Sequence, residues 1–467
     1  MFGVLLVLLL TTCLLAPSAS AQLGLTTPQQ VHLSLTADSS EMAVTWVTEL
    51  SAENEVEWGL SEDALDQSAT GSSRMYEWTV TIHSATMTNL SPNEEYFFRV
   101  GGASVWSGIS SFRTAANDSV HIAAIADHST SSAAEATVQQ LIDANVTLVT
   151  LSGDLSYANG YQPTWDDWGE MMEPSARRTP WMFAPGNHEE EALWGFAAYE
   201  ARFSRPDGGS GSPFWYSFHH GPVTFISISS EHEYTEGSPQ LEWLDEELAL
   251  ANASREAHPW VIVLGHKPMY SSNSYHGSEV ALRDAVEYLL VNHSVDLAIW
   301  GHDHSYERTY PVIAEEVFDI GDQNGTMFAS PTAPVHLVVG TAGQTPYDDF
   351  DDPQPEWSAH REASFGIALL DVDRYSLKMQ FQLADGSIGD EFTLNREIPL
   401  IPTKPAPKKG LLPAAGLPLL LLATALAAVY SHGNQSFSSA GRYHHCPSSS
   451  CHHSTPSSST LNDSSSS

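Results

Sequence analysis

Five short apolar runs in this 467-residue chain each stop at a residue able to bind a metal ion. Residues 122–126 run into Asp127, 148–151 into Asp154, 181–184 into Asn187, 260–264 into His266, and 297–300 into His302 and His304. Runs of this length, rich in Val and Ile, read as buried strands, and strand ends are where open α/β sheets place their chemistry. With Tyr157 there are seven candidates (Asp127, Asp154, Tyr157, Asn187, His266, His302, His304), more donors than one tetrahedral zinc ion takes. The economical reading is two adjacent ions sharing a carboxylate, with Asp154 as the bridge. An isolated buried Asp, Tyr or His is more often a hydrogen-bonded core residue than a ligand. Repetition of ligand types at strand ends reverses that balance.

The elements that must position these residues fall into two blocks. Over residues 119–396, strands alternate with helix-like stretches at Ala133–Ala144, Pro239–Asn252 and Ser278–Asn292, the signature of an α/β domain. Ser238 or Pro239 is suited to start the second helix, with acidic residues in its early turns. Residues 28–115 read as all-β, with alternating or near-alternating runs such as Val31–Leu35 and Met42–Val47 between turn residues. The stretch from Leu90 through Tyr96 to Val100 resembles the tyrosine corner of a fibronectin type III sandwich. This module carries no catalytic cluster and is assigned a structural or docking role. Trp165-Asp166-Asp167-Trp168 has the look of an acid pair, but its place after the second apolar run favours packing and exposure.

The rest of the chain bears on location and partners. Residues 1–21 combine an apolar stretch with Ser18-Ala19-Ser20-Ala21 and read as a signal peptide. Asn-x-Ser/Thr triplets at Asn117, Asn145, Asn252, Asn292 and Asn324 agree with secretory passage and a glycoprotein. Residues 402–410 form a Pro/Lys linker, and residues 411–430 are apolar over nearly a membrane thickness. A single-pass anchor is the favoured reading and a secreted protein the alternative. Two prolines and a glycine weaken the helix, and Lys404, Lys408 and Lys409 oppose the positive-inside tendency. The Ser-rich tail, residues 431–467, is expected to be disordered; its His444-His445-Cys446 and Cys451-His452-His453 clusters read best as compositional bias. With Cys13 in the signal peptide and Cys446 and Cys451 in the tail, the folded portion has no disulfide. The formal charge of -38, from 57 acidic and 19 basic side chains, argues against a nucleic-acid partner. Affinity for a phosphorylated small molecule must then be local to the metals and imidazoles.

Taken together, the blocks Gly153-Asp154-Leu155-Ser156-Tyr157, Gly186-Asn187-His188-Glu189, Gly265-His266-Lys267-Pro268 and Gly301-His302-Asp303-His304-Ser305-Tyr306-Glu307-Arg308 resemble the purple acid phosphatases, a family of metallophosphoesterases. The resemblance spans roughly residues 28–396 and includes Gly340-Thr341-Ala342-Gly343 and Arg361-Glu362-Ala363-Ser364-Phe365-Gly366. It implies a metallophosphoesterase fold, two β-sheets flanked by helices, behind the β module. It departs at Ala126-Asp127-His128-Ser129, where the family commonly has glycines beside the aspartate. Glycine reaches backbone conformations that Ala and Ser reach only with strain, so the geometry of that turn is open; Asp127 is still expected to bind metal.

Carried over by position, the resemblance implies that Asp127, Asp154, Tyr157 and His304 hold Fe(III). Asp154, Asn187, His266 and His302 then hold a divalent partner: zinc, iron or manganese. Hard anionic oxygens suit the trivalent ion, and amide and imidazole suit the divalent one. A ferric phenolate at Tyr157 would give the family's colour. The implied reaction is hydrolysis of phosphate monoesters by metal-activated hydroxide at acid pH. His276 is the candidate proton donor to the leaving group and His188 the residue facing the phosphate. Tyr275 stands where many plant relatives carry another histidine. The alternatives weighed are a catalytically weakened binding or adhesion protein on the same scaffold, and a phosphodiesterase.

Overall fold

A computed structural model describes residues 24–76, 80–206 and 208–396. The expected signal peptide, linker, apolar span and tail lie outside these residues. Among the described residues, no helix is long and apolar enough to cross a membrane.

Two seven-stranded sheets form the larger part. One runs, in spatial order, Trp181–Ala184, Leu148–Ser152, Ser119–Ile125, Gly366–Asp373, Ser376–Leu383, Ile388–Asn395, Met327–Ala329; the other runs Tyr216–His220, Val223–Ser227, Trp260–Leu264, Leu297–Trp300, Val335–Val339, Tyr306–Thr309, Ser358–Glu362. The first three strands of the first sheet are parallel to one another, as are the second to fifth of the second. Successive side chains on a strand face opposite ways, so each strand feeds two cores. Ile122 and Ala124 join Leu264, Leu297 and Ile299 in the cluster between the sheets. Ala123 and Ile125 lie on the other face with Leu141, Trp165 and Trp168 from the helices Ser132–Ala144 and Pro163–Ala176. The second sheet is covered in the same way by Pro239–Ala253 and Val280–Asn292. Burial on both faces is why these strands are continuous apolar runs rather than alternating ones.

The helix boundaries follow local chemistry. Ser131 and Ser238 cap their helices through side-chain oxygens that accept from Ala134 and Leu241, and Pro239 occupies the first turn, where its missing N–H costs nothing. Pro163–Ala176 is a helix the sequence reading did not place. Its Trp165 and Trp168 are fully buried, while Asp166 pairs with Arg202 at 2.9 Å, so this segment packs and is no acid pair.

The N-terminal module is a sandwich of two four-stranded sheets. The backbone N–H of Ser91 donates to the Tyr96 hydroxyl at 2.8 Å, the hydrogen bond that defines a tyrosine corner. Every residue of Met42–Thr48 is buried, which an independent sandwich would not require. Val44 and Trp46 face the sandwich interior, and Val47 with Ile82 belongs to the same apolar cluster as Trp165, Trp168 and Phe203. Arg202 ties the two parts further, donating to Gln30 Oε1 at 3.1 Å and to Asp166, which also accepts from Gln30 Nε2 at 3.1 Å.

Candidate metal centre

All seven candidate ligands leave the carboxyl ends of parallel strands and converge where the two sheets meet. Close approach there depends on glycine: a Cβ on Gly153, whose φ is +85°, would stand 2.3 Å from the His266 ring, and one on Gly301 would stand 2.5 Å from Asp127 Oδ2. Asp127, Asp154, Tyr157 and His302 themselves have positive φ (59°, 55°, 56° and 72°). Such left-handed backbone in non-glycine residues costs free energy and persists where surrounding structure over-determines it.

The turn lacking its usual glycines is held this way. The N–H groups of Asp127, His128 and Ser129 donate in succession to the carbonyls of Gly153, Asp154 and Leu155, at 3.2, 3.0 and 2.7 Å. Ser129 takes φ 69°. His128 is buried and accepts from Trp168 Nε1 at 3.0 Å. Asp127 therefore points inward despite its neighbours, and its Oδ2 accepts the His302 N–H at 2.8 Å.

The donor atoms form two groups. In one, Tyr157 Oη donates to Asp127 Oδ1 at 2.9 Å and lies 3.1 Å from His304 Nε2, itself 3.5 Å from Asp127 Oδ1. In the other, His266 Nε2 lies 3.1 Å from Asn187 Oδ1, 3.2 Å from His302 Nδ1 and 3.3 Å from Asp154 Oδ1. One ligand atom from each of Asp154, His266 and His302 falls within 4.8 Å of the others. Ligands bound about 2.0–2.2 Å from an ion sit roughly 3.0–3.5 Å from one another, so both groups have the spacing of a coordination shell.

Electrostatics points the same way. Burial would depress His266, but Asp154 outweighs it and raises the imidazole to about 10. Burial would likewise raise Asp154, yet His266 and His188 hold it below the usual carboxylate range. A field that so favours a proton on His266 favours a metal cation in its place. Burial, then Asp127 and Asp154, push the Tyr157 phenol well above its ordinary value, so a strongly charged cation is needed to make it a phenolate ligand. The imidazoles are oriented from behind, His266 Nδ1 by the Ser152 carbonyl at 2.9 Å and His304 Nδ1 by the Thr345 carbonyl at 3.3 Å.

His188 stands beside this centre. Its ring lies 4.2 Å from that of Tyr157, its Nδ1 is 2.5 Å from Asn159 Oδ1, and its Nε2 is 3.8 Å from Asp154 Oδ2. His276 is exposed, with its ring 4.0 Å from that of His302. Tyr275 stacks on Tyr347 at 4.1 Å, and Tyr347 on His304 at 4.3 Å, so an aromatic ladder leads from solvent to the centre.

The sequence reading gave no role to Glu189, Asn159, Asp303 or Tyr347. Glu189 is fully buried, and its carboxylate accepts the N–H groups of Asp154, Leu155 and Gly186 at 2.9, 2.9 and 2.8 Å. It therefore sets the turns that carry two ligands. Its place beside Asn187 was the available signal; nothing local marks Tyr347 or Asn159.

Known proteins agree with this architecture. The calcineurin-like phosphoesterase family matches residues 120–306, which makes the larger part a metallophosphoesterase domain. The purple acid phosphatase N-terminal domain matches residues 28–114, and the iron/zinc purple acid phosphatase-like protein C family matches residues 333–391. A probable purple acid phosphatase 20 of Arabidopsis thaliana is 33% identical over 366 residues, covering 74% of this chain and 82% of the relative. An acid phosphatase type 7 of Homo sapiens is 33% identical over 397 residues, covering 76% of this chain and 86% of the relative. A purple acid phosphatase from yellow lupin seeds superposes with a TM-score of 0.73 at 24% identity, over 80% of this chain and 75% of that one. The chain belongs to the purple acid phosphatase family and is an acid phosphatase, a hydrolase with a metal-binding centre.

Proposed function

We propose that this phosphatase hydrolyses small phosphate monoesters with an Fe(III)–M(II) pair. Asp127, Tyr157 and His304 would hold the ferric ion, Asn187, His266 and His302 the divalent zinc, iron or manganese, and Asp154 both. The observation that carries this reading is the pair of donor groups with unlike chemistry: carboxylate and phenol with one imidazole on one side, carboxamide with two imidazoles on the other. Asp154 suits the bridge because its charge acts on Tyr157 and His304 as well as on His266 and His302. When bound, the ions would supply Lewis acidity toward the phosphoryl oxygens and lower the pKa of coordinated water.

The chain's own groups do the rest. His188, oriented by Asn159, faces the phosphate and stabilises charge developing on it. His276 gives its proton to the leaving oxygen. With a formal charge of -38, the protein's long-range field offers an anionic substrate nothing, so these local groups must supply its binding. The same charge speaks against nucleic acid as a partner.

The setting is the secretory lumen or cell exterior, with the protein anchored once in the membrane or secreted. Asn117, Asn145, Asn252, Asn292 and Asn324, each in an Asn-x-Ser/Thr triplet, are exposed and so open to glycosylation. One purified sample tests the reaction: metal per chain, visible absorption and turnover of p-nitrophenyl phosphate against bis(p-nitrophenyl) phosphate over pH. Two metals per chain, a visible band and preference for the monoester are expected. Preference for the diester would replace the substrate class, and a colourless active enzyme would replace the ferric ion.

A further inference from the structure

Asp303 stands between two histidines of the centre, and the chemistry above makes no use of it. It is fully buried. Its Oδ1 accepts the backbone N–H of His276 and its Oδ2 that of Gly277, each at 3.2 Å. Four residues on, the buried Glu307 accepts the Ser272 N–H at 2.7 Å and the Ser272 hydroxyl at 2.6 Å. The loop 271–277 is thus held by Glu307 at Ser272, by the Asp349 carbonyl, which accepts the Ser274 N–H at 2.7 Å, and by Asp303 at His276 and Gly277.

The His276 imidazole has no such support. Among the described residues it makes no hydrogen bond and is located by ring contacts alone, 4.0 Å to His302, 4.8 Å to Tyr275 and 6.1 Å to Tyr347. A side chain without polar restraint goes where its backbone is fixed, and a proton donor must reach the leaving oxygen within about 2.6–3.2 Å. Burying a carboxylate is costly unless hydrogen bonds compensate; here Ser271 supplies one through its side chain, and the backbone N–H groups of the donor and of Gly277 supply two more.

We infer that Asp303 is a positioning residue for proton transfer: its two carboxylate oxygens fix the backbone at His276 and Gly277 so that the imidazole meets the leaving group. The inference rests on the reading of His276 as the donor. In that step a water-derived oxygen bonds to phosphorus as the bond to the leaving oxygen breaks; the electron pair of that bond stays on the leaving oxygen, and the imidazolium N–H proton neutralises it, leaving His276 neutral.

Leaving-group dependence tests this. p-Nitrophenolate departs without help, whereas the alkoxide of glycerol 2-phosphate needs the proton. In D303A, kcat for glycerol 2-phosphate relative to that for p-nitrophenyl phosphate should fall about tenfold, with bound metal and KM unchanged, a modest part of what general acids contribute. H276A should show a split at least as large, and the double variant none beyond H276A. D303N, which keeps one acceptor oxygen, should lie between D303A and the parent; if D303A fails to fold or loses metal, D303N decides on the same ratio. Equal losses on both esters, or an unchanged ratio, would overturn the inference. If H276A itself shows no split, the donor reading fails and the inference falls with it, a result distinct from a split in H276A alone.

Discussion

The hydroxyl of Tyr157 donates to Oδ1 of Asp127 at 2.9 Å, joining the first two apolar runs of the sequence at one donor pair. Neither residue needs the other for solvation at the surface; both are held inward by positive-φ turns. Y157F should therefore keep the fold, losing about 1 kcal/mol from one hydrogen bond. The expected change is spectroscopic: the visible band disappears while the circular dichroism spectrum stays as in the parent. A retained band would place the phenolate elsewhere.

Glu189 should matter to both stability and metal. E189Q keeps the shape but turns an amide N–H toward a nest of three backbone donors. We expect a loss of about 1–3 kcal/mol in urea unfolding and a ten- to hundredfold weaker metal affinity, as for other residues that orient ligands from behind. A metal titration beside the denaturation curve measures both. Burial and the neighbouring Asp154 raise the Glu189 carboxyl above its usual range, so it is no free surface acid that tolerates exchange.

Acid should weaken the fold through buried histidines away from the centre. Burial depresses His220 and His336 to about 3 and His83 to about 4. Below about 6.5 the unfolded chain binds protons at these positions that the folded chain refuses. Stability is thus complete above that pH and falls as pH drops toward 3–4. His336 accepts from Trp300 Nε1 at 3.1 Å, and a glutamine oxygen can replace that acceptor. H336Q should flatten the decline of Tm between pH 6.5 and 4; an unchanged slope would assign the acid loss to other groups.

The two parts of the protein should unfold together. Arg202 is buried and holds Asp166 and Gln30 across their contact. R202A leaves these groups underpaired, and because Asp166 keeps partial solvent access the expected cost is about 2–3 kcal/mol, below that of a fully buried broken pair. Scanning calorimetry should then show either one transition at lower temperature or a separate early one from the β module. No change would mean the apolar contact of Val47 and Ile82 suffices alone.

Much of the site was written in residue order, because each ligand lies within five residues of the end of a strand and strands buried on both faces announce themselves as apolar runs. The tyrosine corner was legible for a similar reason: the hydroxyl bonds back to Ser91, only five residues away. The helix Pro163–Ala176 escaped notice because its buried stripe of Trp165, Trp168, Met172 and Ala176 is interspersed with Asp166, Asp167, Glu170 and Glu173 and carries Pro174 inside it. The full burial of Met42–Thr48 escaped as well, since its second face is covered by residues more than a hundred positions later.

The sequence by itself determined the two-part organisation, the α/β class, the donor types and their placement at strand ends, all consequences of local periodicity and nearest neighbours along the chain. Only the tertiary structure decided which donors share a group, how Asp127 turns inward without its glycines, and that Glu189 and Asp303 are aimed at backbone N–H groups. Those outcomes depend on contacts between distant segments, such as the His302 N–H on Asp127, 175 residues away, and no local pattern encodes the direction in which a buried carboxylate points.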